Sequence, residues 1–502
     1  MTRSGALLAL LLLLPSLVAA QTRPAASNEL QKARALLSEQ RAAEAEQILR
    51  RAIEANPSRV DYRIALAEAL VQQKRLTEAE EVLLAVRRNL MSYRESELLL
   101  AQIWSWQGRF EEAAAAFDAI LAEHPDDTRA REGRAAALYW SGDWPRAADE
   151  YRRLLAIQPQ NETARQHLGE IEQLAAATGE AGLTYSDDDQ PYRRIRSWVS
   201  YSPRARSLTR FRVDAGSYYL EASTQDLSKN APFGGAWVAR SFPRSKFAAE
   251  AWVRAQNFPD GETKILGGGL IRRTLGAHSH VSLSLDQREL LYTTTSLPSH
   301  PYVSAATLRW DLQQPGGWYA AAFAESLRYF DGNRGVSLGG YAAAPLFRTA
   351  AVTFWLGAGA SYRDTDQTRF RLESISSTPR PGGGFTYHYR GVYDPYWTPV
   401  EATEARLVTV LGWSARAGLA LRIHADGGVA HERVLGFGPA SGTTPIPTPG
   451  AGFFEREIHP WRAGLELTRP LGRVGAVTVA YEHFVTAFYV ADEATVRLSR
   501  RF

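Results

Sequence analysis

Residues 304–312 read Ser-Ala-Ala-Thr-Leu-Arg-Trp-Asp-Leu, and apolar and polar side chains alternate strictly from Ala306 onward. Because successive side chains of a strand point to opposite faces, this segment has one apolar face and one face that carries Arg309 and Asp311. The segments 416–425 and 461–468 alternate in the same way. Segments of roughly ten residues with an apolar outside and a polar inside are typical of transmembrane β-barrels. The pattern continues without helical interruption over residues 181–502, so it predicts an antiparallel β-barrel in lipid.

The expected barrel has about 16 strands, with about 14 or about 18 as alternatives, and an even number would place both of its ends on one side. One barrel strand is predicted over residues 385–392, and the Gly-, Pro- and Thr-rich segments 364–384 and 434–456 are expected to be extracellular loops. Aromatic residues near the strand ends are expected to form two interfacial girdles. They are Trp198, Tyr201, Trp237, Trp252, Trp310, Trp318, Tyr319, Trp355, Trp413 and Trp461.

The last predicted strand carries Val496, Leu498 and the terminal Phe502 on one face. A strand that ends on Phe resembles the final strand of outer-membrane proteins, whose assembly machinery reads such an end. The resemblance implies a Gram-negative type of outer membrane, with outer-membrane lipid around the barrel. Arg500 interrupts the apolar face, and near the chain end it is expected to reach the headgroup zone.

Composition narrows the class of protein. A chain of 502 residues is too long for one ordinary domain. Its mean hydropathy of -0.28 excludes a helical membrane protein but not a barrel, whose apolar residues are hidden in the alternation. The absence of Cys excludes disulfides, thiol catalysis and a lipid-modified N-terminal Cys. The net charge of +4 is diffuse, so no nucleic acid partner is expected.

Residues 1–20 have the features of a secretory signal peptide. Arg3 precedes an apolar run from Ala6 to Leu13, and Ala20 closes a Val-Ala-Ala sequence. This arrangement predicts cleavage after Ala20 and export of the mature chain.

A repeat of 34 residues covers the part of the chain that follows. Small residues recur in register at Ala33, Ala67, Ala101 and Ala135, and a second small-residue column starts at Ala45. Small residues let two helices cross closely, and Pro57, Pro125 and Pro159 end three of the units. The pattern resembles the tetratricopeptide repeat and predicts four units, followed by a capping helix over residues 161–175. The alternative is an unrelated helical bundle.

The fold prediction is therefore an α + β multidomain chain. It consists of a signal peptide (residues 1–20), an α-solenoid of about four tetratricopeptide repeats with a capping helix (residues 26–176), and a transmembrane antiparallel β-barrel of about 16 strands (residues 181–502). The solenoid is expected to lie in the periplasm.

Several charged residues fall on the faces assigned to the barrel lumen, because a charge at the lipid midplane would cost about 2–4 kcal/mol. They form either a hydrated, cation-lined route for an anionic or hydroxyl-rich polymer, or a set of paired charges that stabilises the wall. The candidates for the substrate path are Arg210, Arg212, Arg254, Arg309, Asp311, Arg422, Arg462 and Glu466. For a binding groove on the solenoid the candidates are Trp106, Tyr139 and Trp140, with packing inside the repeats as the alternative.

The segment Tyr393–Pro399 (Tyr-Asp-Pro-Tyr-Trp-Thr-Pro) brackets aromatic residues with two prolines just before a predicted strand, and its aromatics are expected near the rim of the barrel. It resembles the aromatic-aromatic-Ser-Pro segment of bacterial exopolysaccharide export proteins, of the cellulose and poly-N-acetylglucosamine type. That resemblance implies a barrel that conducts a glycan outward and a periplasmic solenoid that binds the polysaccharide or periplasmic and inner-membrane synthesis proteins. YaiO-type barrels and surface-lipoprotein assembly modulators share the plan, so a translocation or assembly factor for surface proteins is the alternative function.

No motif for catalysis or for a cofactor is present in the sequence. A Gly-x-Ser-x-Gly elbow, a phosphate loop and a dinucleotide fingerprint are all missing. His278 and His280 form half a metal site at most. The protein is therefore expected to be no enzyme and to hold neither metal nor cofactor. The remaining enzymatic alternative is a lipid-modifying barrel that uses Ser414 and His424.

Overall fold

The structure is a computed structural model. It describes residues 28–89, 93–189, 192–222, 227–276, 278–291, 293, 297–314, 317–379, 385–393, 396–415, 418–435, 453–486 and 489–502. The expected signal peptide and most of the expected loop 434–456 lie outside these residues. The chain divides into two compact units, with the boundary between Leu174 and Ala175.

The first unit consists of antiparallel helix pairs, as the 34-residue period predicts. The alanines of the first small-residue column are fully buried, and so are those of the second. The pairs are α1/α2, α3/α4, α5/α6 and α7/α8, and α9 follows as the capping helix. The described helices are α1 (Asn28–Ser38), α2 (Ala42–Ala55), α3 (Val60–Gln72), α4 (Leu76–Asn89), α5 (Arg94–Trp106), α6 (Phe110–Glu123), α7 (Thr128–Ser141), α8 (Trp144–Ile157) and α9 (Glu162–Ala175).

Two glutamates 34 residues apart connect neighbouring repeats. Glu80 accepts hydrogen bonds from Trp104 Nε1 (2.8 Å) and Gln107 Nε2 (2.9 Å) of the next pair, and from Arg109. Glu46 accepts equivalent bonds from Gln73 (2.8 Å) and from Arg75 (2.7 Å), which lies one repeat before Arg109. Burial opposes the ionisation of Glu80, but these donors outweigh it and hold the pKa of its carboxyl below the usual range. The carboxylates therefore stay charged and tie the first repeat to the second and the second to the third.

The second unit is a closed antiparallel barrel of 16 strands. Closure follows from β1, which pairs with both β2 and the last strand, β19. The short β16 and β17 both pair with β15 and together form one strand of the wall. The strands are β1 (Thr178–Asp188), β2 (Tyr192–Ser202), β3 (Thr209–Ala222), β4 (Leu227–Phe242), β5 (Phe247–Asn257), β6 (Thr263–Thr274), β7 (Ser279–Glu289), β8 (Tyr302–Gln313), β9 (Tyr319–Tyr329), β10 (Arg334–Arg348), β11 (Val352–Thr365), β12 (Phe370–Pro379), β13 (Phe385–Tyr393), β14 (Val400–Ser414), β15 (Ala420–Leu435), β16 (Phe453–Ile458), β17 (Trp461–Leu471), β18 (Gly475–Val485) and β19 (Val490–Arg501).

The strands β12 and β13 form a separate hairpin, and β11 pairs directly with β14 in the wall. The prediction of a barrel strand over residues 385–392 is therefore wrong. Residues 366–399 do connect two wall strands, as expected of a loop over residues 364–384, but this connection contains the hairpin. Both segments alternate locally, and alternation does not distinguish a wall strand from a strand of a separate hairpin.

The outer face of the barrel is apolar. Leu308 and Trp310, on the apolar face of residues 304–312, are 52% and 37% exposed, while Asp311 on the other face is 6% exposed. The same alternation holds around the wall, with Leu407 and Leu411, for example, on the outside. Exposed apolar side chains in this arrangement form a lipid-facing surface. No helix among the described residues is long and apolar enough to cross a membrane.

The girdle prediction is wrong for half of its aromatic residues. Tyr201, Trp310 and Trp461 do lie on the outer face. Five others occupy the alternate positions of their strands, which face inward, and their rings contact other side chains of the lumen. This set is Trp198, Trp237, Trp252, Tyr319 and Trp355.

The two ends of the barrel differ in their connections. Both chain ends of the barrel lie at one end, called here the terminal rim, where short connections such as 243–246, 349–351 and 472–474 join the strands. The opposite end, called the far rim, carries the longer connections 290–301 and 366–399. Short turns on the periplasmic side and longer loops outside are typical of outer-membrane barrels.

Candidate functional site in the barrel lumen

Aromatic rings lie flat against the inner wall, each over a glycine of the neighbouring strand. A β-carbon added at Gly182 would come within 2.5 Å of the Trp198 ring, and one added at Gly268 within 2.6 Å of the Trp252 ring. Phe323 covers Gly339 in the same way. The missing side chains make room for the rings. The rings therefore expose their faces toward the lumen instead of blocking it.

The residues predicted to line the substrate path all lie on the inward-facing parity of their strands. On β3 the outward Phe211 and Val213 are more than half exposed, so Arg210 and Arg212 between and beside them face inward. The guanidinium of Arg212 lies 5.1 Å from the centre of the inward Trp237 ring. The cavity described below is lined by three others from this set, Arg422, Arg462 and Glu466.

Arg309 and Asp311 form a compact polar cluster on the inner face of β8. Arg309 pairs with Asp311 (Nη2 to Oδ1, 2.9 Å) and donates to the hydroxyl groups of Tyr319 (2.9 Å) and Tyr341 (3.1 Å). Tyr319 in turn donates to Asp311, and His280 lies 3.4 Å from the same carboxylate. This cluster ties β7, β8, β9 and β10 together.

Asp426 is the centre of a second charge network, on β14, β15 and β17. Its side chain is 2% exposed and accepts from both Arg406 and Arg462. Arg406 also pairs with Glu404. A buried carboxylate between two guanidiniums is stable only while both remain, so Arg462 has a structural role beside the predicted role in the substrate path.

Toward the far rim most arginines of the lumen are paired with carboxylates, while Arg196 lies over the rings of Tyr218 and Phe233. Arg254 lies 3.4 Å from both Asp214 and Glu289. Arg288 pairs with Glu325 at 2.7 Å. Further pairs are Arg194–Glu493, Arg363–Glu325 and Arg456–Glu432.

Part of the connection between β7 and β8 folds into the barrel. Leu291 and Leu297 are 2% and 1% exposed and pack on Tyr192, Tyr218 and other inward residues. The carbonyl of Leu291 accepts from the Tyr192 hydroxyl at 3.3 Å. This segment narrows the lumen near the far rim.

Of the segment Tyr393–Pro399, residues 396–399 have side chains that the structure describes, and these pack on inward-facing residues of the wall. Tyr396 stacks on Tyr329 with 4.0 Å between ring centres and donates to Asp331 (2.7 Å). Trp397 lies under the guanidinium of Arg363 at 4.7 Å, and Thr398 is fully buried. Tyr329 ends β9 and Arg363 lies two residues before the end of β11, so Tyr396 and Trp397 pack on the inner side of the far rim.

The half of the lumen near the terminal rim contains a cavity of about 1030 Å³. Its lining combines aromatic rings, guanidiniums and carboxylates. The lining includes Tyr319, Phe323, Tyr341, Trp355, Glu404, Arg406, Arg422, Asp426, Arg462 and Glu466. A space with this mixture of groups can bind a hydroxylated or charged chain by many weak contacts.

The residues of the enzymatic alternative do not meet. Ser414 pairs in register with Ala420 and His424 with Val410, which separates Ser414 from His424 by four residues along the ladder, or roughly 13 Å. His424 instead pairs with Glu482 at 3.1 Å. Among the described residues, no group of three or more His, Cys, Asp or Glu side chains is placed to hold a metal ion.

On the solenoid, the three predicted groove residues differ in accessibility. Trp106 and Tyr139 pack against the core, while Trp140 is 39% exposed. Tyr139 stacks on His167 (4.3 Å between ring centres) and donates to Glu170, so it attaches the capping helix α9 to α7. Of the three, Trp140 offers the largest free ring surface.

His167 gives the solenoid a pH-dependent stability. Burial lowers the pKa of its imidazole, and its Nδ1 lies 2.7 Å from the Tyr151 hydroxyl. Because the folded state binds a proton less readily than the unfolded state, this stability is present above the ordinary pKa of about 6.5 and is lost as the pH falls. We expect the helical ellipticity of the full chain in detergent to melt at lower urea concentration at acidic pH. A H167Q variant should lose part of this dependence, and an unchanged dependence would contradict the assignment.

Comparison with known proteins supports the assignment of the helical part. Models of the tetratricopeptide repeat match residues 36–103 and 107–162. Helices α1–α8 are tetratricopeptide repeats. Solved structures similar to the tetratricopeptide repeats include YrrB, described as a TPR protein with an unusual peptide-binding site (17% identity, 28% of this chain, 74% of that chain, TM-score 0.26). Another is MamA from Desulfovibrio magneticus RS-1 (15% identity, 29% of this chain, 85% of that chain, TM-score 0.27).

A further similar structure covers more of the chain. It is described as a bacterial polysaccharide outer membrane secretin, with 9% identity over 65% of this chain and 99% of that chain and a TM-score of 0.47. No curated protein matches the chain in sequence. The tetratricopeptide repeats and the closed barrel with its apolar outer face describe an outer-membrane protein.

Proposed function

We propose that this protein exports an exopolysaccharide across the outer membrane. The observation that carries the proposal is the cavity of about 1030 Å³ in a closed barrel, lined by aromatic rings, guanidiniums and carboxylates. The same chain supplies tetratricopeptide repeats, which commonly bind protein partners through an extended concave surface.

The chemistry of the lumen suits a polymer that must move. Rings such as Phe323 and Trp252 offer flat surfaces for sugar faces, and Arg422 and Glu466 offer hydrogen-bonding groups. Conduction needs contacts that are favourable enough for entrance and weak enough for release. Many equivalent contacts along the wall meet both needs, because no single site retains the chain.

The repeats would lie in the periplasm and bind synthesis proteins or the emerging polymer. The short connections at the terminal rim support this orientation, since periplasmic turns of such barrels are short. Trp140 is the residue of the solenoid that we propose for partner contact.

The test is deletion of the gene in its host, with complementation by the full chain. We expect extracellular polysaccharide and biofilm matrix to disappear and to return on complementation. Unchanged polysaccharide together with loss of a surface lipoprotein would contradict export and favour the assembly function.

A further inference from the structure

The lumen arginines near the terminal rim differ from those near the far rim. Arg309 near this rim is paired with Asp311, but five other arginines lie on inward parity within four residues of the strand ends at the terminal rim, and we call them the vestibule arginines. They are Arg210, Arg212, Arg272, Arg422 and Arg497. In the described part of the chain none of these guanidiniums has a carboxylate within 4.0 Å, whereas the arginines nearer the far rim are paired as described above, except Arg196, which lies over the rings of Tyr218 and Phe233.

The carboxylates of the same band do not compensate this charge. Asp311 is already paired with Arg309, and Glu250 accepts from the indole of Trp237 at 3.3 Å. Glu180 on β1 and Glu466 on β17, which lies opposite Arg422 in the register, are the remaining inward acids of the band in the described residues, two carboxylates against five guanidiniums. The Nε of Arg272 is buried without a hydrogen-bond partner, so its guanidinium retains unused donor capacity.

The connections at the two rims show the same asymmetry. The short connections of the terminal rim contain no Asp or Glu, and they carry basic residues at Arg204, Arg206, Lys246 and Arg473. The far rim has acidic residues in its connections, among them Asp189, Asp260, Glu262, Asp331 and Asp366. The barrel is therefore basic where the polymer would enter and more acidic where it would leave.

We infer that the terminal half of the lumen is an anion-selective vestibule and that the exported polymer carries carboxylates or other anionic groups. This inference rests on the proposed export function and adds the substrate class. Unpaired cations in a cleft with low-dielectric walls raise the local concentration of anions and speed their capture. The acidic far rim lowers the affinity at the exit, which favours release.

Binding of an oligogalacturonate to the full chain in detergent tests the inference, with a neutral maltooligosaccharide of equal length as the reference ligand. We expect the uronate to bind more tightly than the neutral sugar, and the difference to shrink as salt is added. Equal binding of the two ligands, or no binding of the uronate, would overturn the inference.

A pair of matched triple variants locates the site. R210Q/R422Q/R497Q removes three lumen guanidiniums that are exposed to solvent, so their loss disturbs little packing. R240Q/R273Q/R500Q removes three arginines at the same rim that face outward and lie 5.3, 5.4 and 5.3 Å from the rings of Phe242, Phe247 and Phe502. We expect uronate affinity to fall about tenfold or more in the lumen variant and to stay unchanged in the outward variant. An equal loss in both would place anion binding on the outer rim and overturn the inference.

The sugar composition of the secreted glycan separates this inference from the export proposal. Gene-dependent secretion of a neutral glycan would leave export in place and overturn the vestibule. Absence of any gene-dependent glycan would refute export itself. Folding of each variant is checked by its heat-sensitive electrophoretic mobility, and binding is compared among folded proteins.

Discussion

G428A is expected to prevent closure of most barrels in a refolding experiment. A β-carbon at Gly428 would lie 1.9 Å from the backbone oxygen of Ala405 and 2.9 Å from the Cα of Arg406. Because these are backbone atoms of the neighbouring strand, no rotation of a side chain relieves the contact. Separating β14 from β15 would break the ladder that joins them, at a cost of about 3 kcal/mol or more. Heat-sensitive mobility in electrophoresis reports the closed barrel.

The matched control is G234A, which makes the same chemical change on β4. A β-carbon at Gly234 has its nearest neighbour, the Asp214 oxygen, at 3.8 Å, an ordinary contact. G234A should therefore refold like the parent. Similar yields for the two variants would show that the approach of β14 to β15 is less close than described.

The second large effect is expected for D426N, which keeps the shape of the side chain and removes its charge. The carboxylate is 2% exposed and binds both Arg406 and Arg462. Loss of one partner from a buried ion pair costs about 3–5 kcal/mol. Arg406 retains Glu404 and Arg462 is half exposed to the lumen, so we expect the lower end, about 3 kcal/mol, in urea unfolding followed by tryptophan fluorescence.

The control for D426N is E466Q on the same inner wall. Glu466 lines the cavity and has no ion pair in the described residues, so its neutralisation should change stability by about 0.5 kcal/mol or less. The double variant D426N/R462Q should recover part of the loss, because one uncompensated guanidinium is then removed. An E466Q cost as large as that of D426N would mean that any lumen carboxylate stabilises the wall equally.

The features that follow from local periodicity, namely the buried repeat alanines and the inward side chains of β8, were predicted correctly. The 34-residue register placed the buried alanines, and the period-two alternation placed Arg309 and Asp311 inward, because each rule needs only neighbouring residues. The girdle prediction failed because closeness to a strand end does not determine the face. Trp198 is next to Val199, which faces outward, and adjacent side chains of a strand point to opposite faces. The alternation therefore predicts that Trp198 faces inward, as it does.

Features that depend on tertiary packing had no local signal. Leu291 and Leu297 occur in a polar connection, and nothing in their neighbours shows that they fold into the barrel. The hairpin β12–β13 alternates like a wall strand, and only the pairing of β11 with β14 separates it. By contrast, the Glu46 and Glu80 contacts were detectable, because Gln73 and Gln107 occupy one column of the repeat and Arg75 and Arg109 another.

The recurrence of those contacts has a consequence for how the helical array can change in length. The acceptor on one unit, such as Glu46, meets donors of the unit after it, such as Arg75, in addition to Arg50 of its own helix. A duplicated pair inserted after α4 would therefore present a ready acceptor and ready donors at both new junctions, without compensating substitutions. The sixth helix has Ala114 in place of the glutamate, so an insertion further along would lack this fit. Lineages that lengthen or shorten the array are expected to do so near its N-terminal end.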